Sequence, residues 1–467
     1  MTDLYTKAVA DFIFPFHERL KKHATVAVRE ELERTQWWGK SDLEQLRLDR
    51  LRELLTHAQH HVPYYKKLFS EISFDPGLIN SLADLSRLPL LTKSKIRTHL
   101  EQLKADNAQC LARFNTGGSS GEPLIFYIGK KRVSHDVAAK WRATRWWDVD
   151  IGDREIVLWG SPIELNAQSR TRSFRDKLLR TRLLPAFEMS EQKLDGFLKE
   201  ICAIRPKMLF GYPSSLAHLA RYAQSKNSRM DDLGIKVAFV TSERLYNDQR
   251  EQIEMIFGCR VANGYGGRDA GFIAHECPAG GMHITAEDII VEIVDEQGMP
   301  LPLGVSGEVV VTHLATGDFP FIRYRTGDVA ILDDKACSCG RGLPLIKEIQ
   351  GRTTDFIIAS DGTVMHGLAL IYVVRDLPGV QQFKIIQENI HATRILLVTD
   401  SSFKDSRIAE IKSDVMRRLG DDVRVDVEIV PYIAKEASGK YRYVISHVSV
   451  PGIQGEIQKR IQKSKQP

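Results

Sequence analysis

The chain has 467 residues, of which 43% are hydrophobic, and its 65 basic and 60 acidic side chains give a net charge of +5. This length predicts about two to four domains with substantial cores, and so small a charge imbalance does not indicate a nucleic-acid partner. Six cysteines in so long a chain do not form a disulfide framework, so we expect reduced thiols and a cytoplasmic location. Neither a signal peptide nor a membrane span of about 20 apolar residues is predicted.

The predicted elements follow three different patterns along the chain. Leucines at helical spacing over residues 46–55 predict helices in the N-terminal segment 1–100. From residue 156 to residue 257, apolar strands alternate with helices, which is typical of an α/β sheet with a parallel component. Short strands separated by turns from residue 289 to residue 349 predict a small antiparallel β subdomain.

A domain boundary is predicted near Gly351. Beyond it, strands and one amphipathic helix predict a compact α+β unit of about 100 residues, a size suited to an independent mobile lid. We therefore expect an α/β fold with a large N-terminal domain of mixed α/β sheets, residues 1–351, and a small C-terminal lid domain, residues 352–467.

A basic segment lies between the first predicted strand of the alternating region and the next helix. Residues 170–182 contain six basic side chains and one acidic side chain. A solvated helix face is one interpretation of this segment. A surface for an anionic acceptor, such as the phosphates of coenzyme A or a lipid-linked sugar, is the other.

The most informative stretch is the loop over residues 114–123, with the sequence FNTGGSSGEP. Its glycines can adopt positive φ and turn successive N–H groups towards one point, and its hydroxyl side chains add donors. We therefore expect a polyphosphate ligand, held by Thr116, Gly117, Gly118, Ser119, Ser120 and Gly121. The lysine of a Walker loop and the G-x-G-x-x-G pattern of a Rossmann fold are both absent, and a flexible surface loop is the alternative interpretation.

The form TGGSSGEP resembles the phosphate loop of the adenylate-forming enzymes, and it is most similar to their phenylacetate-CoA ligase and CapK-like branch. Residues 265–269, YGGRD, resemble the YGxTE motif of that family. This resemblance implies that Tyr265 and Gly266 lie near adenine and that Asp269 contacts Mg²⁺, through water because aspartate is one methylene shorter than the family's glutamate. Residues 324–328, YRTGD, match a second family motif and imply that Asp328 accepts hydrogen bonds from both ribose hydroxyls.

Two later stretches resemble the family motifs of the C-terminal lid. Residues 351–355, GRTTD, imply that Arg352 holds the ribose or a phosphate of the nucleotide. The hinge position of the family falls on Thr354, where aspartate or lysine is usual, so the hinge assignment stays open. Residues 438–442, SGKYR, imply that Lys440 bridges the carboxylate substrate and the α-phosphate.

Four further side chains have the composition of a structural zinc site. Cys277 and His283 precede the predicted β subdomain, and Cys337 and Cys339 lie further along the chain in a C-x-C arrangement. A closed Cys₃His set is a common tetrahedral zinc site, with His275 as an alternative to His283. Reduced structural cysteines without metal are the other interpretation.

The resemblance implies an ATP-dependent carboxylate ligase that forms an acyl-adenylate, releases pyrophosphate and passes the acyl group to an acceptor. The acceptor is either the thiol of coenzyme A or an amine, in polysaccharide or secondary metabolite biosynthesis. Two alternatives stay open: an adenylyltransferase whose adenylate is the final product, and a catalytically inactive, zinc-stabilised nucleotide-binding or assembly protein. The partners expected are a small carboxylic acid, ATP with Mg²⁺ and the acceptor, and the oligomeric state is open, with a homodimer as one candidate.

Overall fold

The structure is a computed structural model. It describes residues 3–116, 124–159, 170–186, 189–243, 245, 247–295, 297–349, 356–375, 377–433 and 444–448.

Helices occupy most of the first 98 residues. Thr92 caps the last of these helices, because its side chain accepts a hydrogen bond from the Lys95 N–H. Val62 is extended because it precedes Pro63, and this residue separates the helix Lys40–His61 from the helix Pro63–Glu71. The helices are α1 (Leu4–Ala8), a π-helical turn (Val9–Ile13), α2 (Phe14–Leu20), α3 (Thr25–Thr35), α4 (Lys40–His61), α5 (Pro63–Glu71) and α6 (Lys93–Thr98), with 3₁₀ turns at Pro76–Leu78 and Leu82–Arg87.

A hairpin and an eleven-stranded sheet follow. The hairpin pairs β1 (Ala112–Asn115) with β2 (Ile125–Ile128), and α7 (Lys130–Arg145) comes next. The first half of the large sheet is parallel and consists of β3 (Glu155–Trp159), β4 (Thr181–Pro185), β5 (Met208–Gly211), β6 (Val237–Thr241) and β7 (Arg260–Gly267). The connecting helices are Arg170–Leu178, Glu191–Ile204, Pro213–Ser225 and Asn247–Phe257.

The second half of the same sheet is antiparallel. Its strands are β8 (Gly271–Glu276), β9 (Met282–Ile284), β10 (Ile289–Val294), β11 (Ser306–His313), β12 (Tyr324–Asp333) and β13 (Leu345–Ile349). The strand order is β10-β11-β12-β13-β9-β8-β7-β6-β5-β3-β4, so the antiparallel strands continue the parallel ones edge to edge. The predicted α/β fold class is therefore confirmed.

The C-terminal residues build a smaller sheet with its own hydrophobic core. Its amphipathic helix buries Ile411, Val415 and Leu419 at intervals of four residues, which places them on one face. The elements are β14 (Phe356–Ile358), β15 (Val364–His366), the helix Leu368–Arg375, β16 (Val380–Asn389), β17 (Ala392–Thr399), the helix Ser406–Leu419, β18 (Arg424–Ile429) and β19 (Val444–Ser446), and the four-stranded sheet has the order β18-β17-β16-β19.

Buried ion pairs fasten the N-terminal helices to the large sheet. Arg142 of α7 contacts Glu287 at 2.6 Å, and both side chains are at most 1% exposed. The next residue, Asp288, accepts from Arg50 of α4 at 2.9 Å and lies 2.7 Å from the ring Nδ1 of His135 on α7. Because a buried charge is costly without a partner, these contacts fix the loop before β10 against α4 and α7.

Arg323 is a buried side chain whose guanidinium forms hydrogen bonds to a carboxylate and to three backbone carbonyls. Its guanidinium is bidentate to Glu292 of β10, at 3.1 and 2.9 Å. It also donates to the carbonyl oxygens of Ser86, Leu88 and Gly298, at 3.2, 2.7 and 2.7 Å. Arg323 therefore joins the N-terminal segment, β10 and a surface turn to the residue that begins β12.

We predict that Arg323→Met destabilises the N-terminal part of the chain by about 3–5 kcal/mol, because Glu292 and three carbonyls lose their partner. All six tryptophans lie between residues 37 and 159. Urea unfolding followed by tryptophan fluorescence therefore reports on this part. Arg182→Met is the matched control, since Arg182 pairs with Glu200 on the surface, and it should change stability by less than about 1 kcal/mol. Equal unfolding curves for both variants would contradict the role of Arg323.

Asp288 predicts a dependence of stability on pH. Burial alone raises the pKa of Asp288, but His135 and Arg50 outweigh burial and hold it well below its usual value of 3.8. A carboxylate with a lowered pKa stabilises the fold above its unfolded-state pKa, and this stabilisation is lost as the pH falls towards the folded-state value.

We therefore expect Asp288→Asn to be less stable than the native chain by about 3 kcal/mol at neutral pH, with a gap that narrows below about pH 4. Urea unfolding at a series of pH values between about 7 and 3 measures the gap. Asp334→Asn, at an exposed position, is the control and should follow the native chain throughout. A gap that stays constant down to about pH 3 would show that Asp288 does not carry this effect.

Candidate functional site

The base of the glycine-rich loop is fixed by Thr116. Its backbone N–H donates to the Leu124 carbonyl at 3.0 Å, and its hydroxyl accepts from the Leu124 N–H at 2.9 Å. These bonds close the β1–β2 hairpin where the loop leaves it. The predicted phosphate-binding residues Gly117, Gly118, Ser119, Ser120 and Gly121 lie outside the described residues.

Tyr265, Gly266 and Asp269 lie in the β7–β8 hairpin. The pairing of the two strands shifts by one residue at Gly266. A side chain at Gly266 would place its Cβ 2.3 Å from the Gly271 carbonyl oxygen, so the close approach of the two strands requires glycine here. This bulge shapes the turn that carries Asp269, whose Oδ1 accepts from the Ala270 N–H at 3.1 Å.

Asp328 lies at an irregularity of β12. Between the pairs Glu308–Val329 and Val310–Arg325, β11 has one residue and β12 has three, which are Thr326, Gly327 and Asp328. Gly327 takes a φ of +81°, in the region that favours glycine. The Thr326 hydroxyl donates to the Val309 carbonyl at 3.0 Å and accepts from the Asp328 N–H at 3.1 Å. The bulge thus moves Asp328 out of the regular ladder and aims its side chain.

The two motifs meet in space. The Tyr265 hydroxyl donates to Asp328 Oδ2 at 3.1 Å, and the Tyr324 hydroxyl donates to Asp269 Oδ2 at 2.5 Å. In the order of strands, β12 is separated from β7 by β13, β9 and β8, so the sheet must curl for these contacts to form. The structure therefore brings four of the predicted site residues, Tyr265, Gly266, Asp269 and Asp328, to one place.

Aromatic rings connect the glycine-loop hairpin to this place. Phe126 of β2 meets Phe321 edge to face at a centroid distance of 5.6 Å, and Phe321 meets Tyr324 at 5.1 Å. All three rings are fully buried. The hairpin that holds the loop therefore packs against the start of β12.

A charged triad beneath the hairpin was not predicted from the sequence. Arg132 of α7 donates to the carbonyl oxygen of Arg268 at 2.8 Å and contacts Asp136 at 3.3 Å. Asp136 in turn lies 3.5 Å from His313 Nε2. The sequence signal is an Arg and an Asp four residues apart on a helix, which is also common on solvated faces. Its burial, and hence its contact with the hairpin, depends on the tertiary fold.

Arg352 and Lys440, the two predicted catalytic residues, lie outside the described residues, as does Thr354. Their assignments stay predictions.

The four predicted zinc ligands form one cluster. Donor atoms of Cys277, His283, Cys337 and Cys339 all lie within 4.8 Å of one another. The Cys277 and Cys337 sulfurs are 3.6 Å apart, and His283 Nε2 is 3.2 Å from the Cys339 sulfur. Tetrahedral Zn–S bonds of about 2.3 Å place sulfurs roughly 3.8 Å apart, so the set fits zinc.

The surroundings of the cluster also fit a cation. His283 Nδ1 lies 3.3 Å from the Leu343 carbonyl oxygen, the contact by which a backbone group orients a ligating imidazole. Burial raises the pKa of Cys277 to about 12, so a positive charge is needed to hold this thiol as thiolate. His275 instead packs its ring against Phe239 and Phe272, at 5.8 and 5.5 Å. The geometry therefore favours His283 over His275.

Within the described ranges, no helix combines the length and the apolar character needed to cross a membrane.

Known proteins similar to this chain include CapK and phenylacetate-CoA ligases. A family model described as the CapK C-terminal domain matches residues 357–447. Protein CapK of Staphylococcus aureus is 23% identical over 440 residues, which cover 92% of this chain and 94% of the relative. A phenylacetate-coenzyme A ligase of Thermus thermophilus is 28% identical over 330 residues, which cover 68% of this chain and 72% of the relative. The chain is thus similar to CapK over nearly its whole length and to phenylacetate-CoA ligases over about two thirds of it.

Solved structures with a similar fold are acyl-CoA ligases. A 2-hydroxyisobutyryl-CoA ligase in complex with 2-HIB-AMP and CoA aligns with a TM-score of 0.66 at 21% identity, over 92% of this chain and 94% of that one. The same enzyme in a postadenylation state with 2-HIB-AMP aligns with a TM-score of 0.58 at 20% identity, over 91% and 93%. This chain thus has the fold of the adenylate-forming ligases.

Proposed function

We propose that the protein is an AMP-forming acid–CoA ligase. One observation carries the proposal: Tyr265, Asp269 and Asp328 come from two motifs that are distant in sequence, yet they converge at one point through hydrogen bonds of 3.1 and 2.5 Å. An acidic pair beside an aromatic ring supplies acceptors for ribose and a metal ligand for a nucleoside triphosphate.

Each carboxylate has its own role in this proposal. Asp328 accepts hydrogen bonds from the ribose hydroxyls, for which a carboxylate offers two oxygen acceptors. Asp269 is partly exposed and both of its oxygens are oriented by hydrogen bonds, so it fits a Mg²⁺ ion held mainly by water and phosphate. When bound, Mg²⁺ neutralises the charge that develops on the leaving pyrophosphate. The glycine loop itself, from Thr116 to Gly121, binds the β- and γ-phosphates in this proposal.

The C-terminal part supplies the remaining groups in the proposal. Residues 352–467 act as a lid that brings Arg352 to the ribose or phosphate and Lys440 to the reacting carboxylate and α-phosphate. The ammonium group of Lys440 stabilises the charge of the transition state as the carboxylate attacks the α-phosphorus and pyrophosphate leaves. A later movement of the lid admits the acceptor.

Coenzyme A is the proposed acceptor. The relatives named above include phenylacetate-coenzyme A ligases and a 2-hydroxyisobutyryl-CoA ligase with bound CoA. Transfer to an amine, in polysaccharide or secondary metabolite biosynthesis, and release of the adenylate itself are the outcomes that would replace it.

We predict that the purified protein releases pyrophosphate from ATP with a suitable carboxylic acid and that Lys440→Ala reduces this rate at least about 100-fold. A panel of aromatic, aliphatic and hydroxy acids with hydroxylamine as trap measures adenylation. Adding coenzyme A, an amino acid or an amino sugar then identifies the acceptor. Lys404→Ala, which changes an exposed lysine of the same C-terminal part, is the control and should keep the native rate. If the native protein gives no adenylation with any acid of the panel, the alternative of a catalytically inactive assembly protein is favoured.

We also propose a structural zinc ion held by Cys277, His283, Cys337 and Cys339. The ion would tie the loop after β12 to the turn between β8 and β9, and its role is stabilisation of the fold.

Metal analysis of purified protein should therefore give about one zinc per chain, and less than about 0.2 would end the idea. Cys337→Ser should lower the zinc content and the unfolding temperature together, because it removes one ligand. Cys202→Ser is the control, since Cys202 lies in the helix Glu191–Ile204 and outside the cluster. It should change neither the zinc content nor the unfolding temperature.

A further inference from the structure

The two nucleotide-site motifs have the same outline in sequence. Residues 265–269 and residues 324–328 are both five-residue segments that begin with tyrosine and end with aspartate. In the structure each tyrosine serves the other segment. The Tyr265 hydroxyl donates to Asp328 at 3.1 Å, and the Tyr324 hydroxyl donates to Asp269 at 2.5 Å.

Tyr324 is held too firmly for this contact to be accidental. Its side chain is fully buried and packs edge to face on Phe321 at 5.1 Å. Its backbone forms a bridge to Leu91, and the preceding residue, Arg323, is held by Glu292. A phenol has one proton to donate, and here that proton is directed to a carboxylate, which makes a strong hydrogen bond.

Asp269 is consequently fixed at both oxygens. Oδ2 accepts from Tyr324, and Oδ1 accepts from the Ala270 N–H at 3.1 Å. Arg132 holds the backbone of the same turn through the Arg268 carbonyl at 2.8 Å. Arg132 thus holds the backbone of the turn, and Tyr324 and the Ala270 N–H hold the carboxylate. The direction of the Asp269 side chain is therefore set in the absence of a ligand.

We propose that Tyr324 is a positioning residue that aims Asp269, that the Tyr265 hydroxyl does the same for Asp328, and that this reciprocal exchange couples the two motifs. The inference rests on the proposed function, because it assigns the work of Asp269 to Mg²⁺ and of Asp328 to ribose. Loss of one hydroxyl removes one restraint on the direction of a carboxylate and weakens the contact between β12 and the β7–β8 hairpin. The remaining tyrosine–aspartate hydrogen bond then contributes less to holding the two motifs together.

The test uses Tyr324→Phe, Tyr265→Phe and the double variant of the full-length protein, which keep both rings and remove only the hydroxyls. Pyrophosphate release is measured against Mg²⁺ and against ATP. We expect Tyr324→Phe to raise the Mg²⁺ concentration for half-maximal rate about ten-fold, and Tyr265→Phe to raise the KM for ATP about ten-fold, as for loss of a hydrogen bond to a charged group. The fold-loss of the pyrophosphate-release rate in the double variant should be smaller than the product of the fold-losses in the two single variants.

Tyr222→Phe is the matched control. Its hydroxyl also donates to a carboxylate, Asp195 Oδ1 at 2.8 Å, but on the helices that flank the parallel strands. This variant should keep both native concentration dependences.

Three results would overturn the positioning role while leaving the ligase intact. The first is a Tyr324→Phe enzyme with native dependence on Mg²⁺, and the second is a lower unfolding temperature and kcat with unchanged Mg²⁺ dependence, which indicates support of the fold alone. The third is a double variant whose loss equals the product of the single losses. If Tyr324→Phe does not fold, the partly exposed Tyr265→Phe tests the same exchange from its other side. A native protein that is inactive with every acid would instead overturn the proposed function.

Discussion

The geometry of the site depends on one buried guanidinium. Arg323 has a φ of +50°, a left-handed conformation that is unfavourable for a residue with a side chain. Its hydrogen bonds to Glu292 and to three carbonyl oxygens offset this strain and hold the residue at the junction of the N-terminal segment, β10 and β12. Because Tyr324 follows directly, the position of the first residue of β12 is fixed by Arg323 as well as by the hydrogen bonds of the sheet.

The large sheet is shaped by irregularities at both motifs. A shift of pairing at Gly266 and the three-against-one bulge at Asp328 each interrupt a regular ladder. Bulges increase twist and re-aim side chains, and here they accompany a curl that brings β12 next to the β7–β8 hairpin. The irregular positions are thus the ones that carry polar side chains to a common place, while the regular strands around them supply the rigid support.

Much of the fold follows from local patterns in the sequence. The helix Glu191–Ile204 lies in the region where alternating strands and helices are predicted, and the strands Ile289–Val294 and Leu345–Ile349 lie where short strands are predicted, because hydrophobic periodicity reports directly on which face is buried. The linear order of the motifs was likewise enough to indicate an adenylate-forming relative. None of these signals requires knowledge of which strands are neighbours.

The contacts within the site could not be predicted in this way. Tyr324 and Asp269 are 55 positions apart, and their hydrogen bond exists only because the sheet curls. Arg132 looks from its sequence like one half of a surface ion pair, and its burial beneath the hairpin is a tertiary property. The choice between His275 and His283 as a donor is also decided by packing, since the two residues face each other across paired strands.

The cysteine–histidine cluster requires a glycine at position 281 in addition to its four donor residues. A Cβ at this position would come within 2.5 Å of the Cys337 sulfur and 3.2 Å of His283 Nε2. A single added methyl group would therefore occupy the space where the four donors approach one another. The same three cysteines and histidine can therefore form a metal site only if position 281, between Cys277 and His283, is occupied by a residue without a side chain.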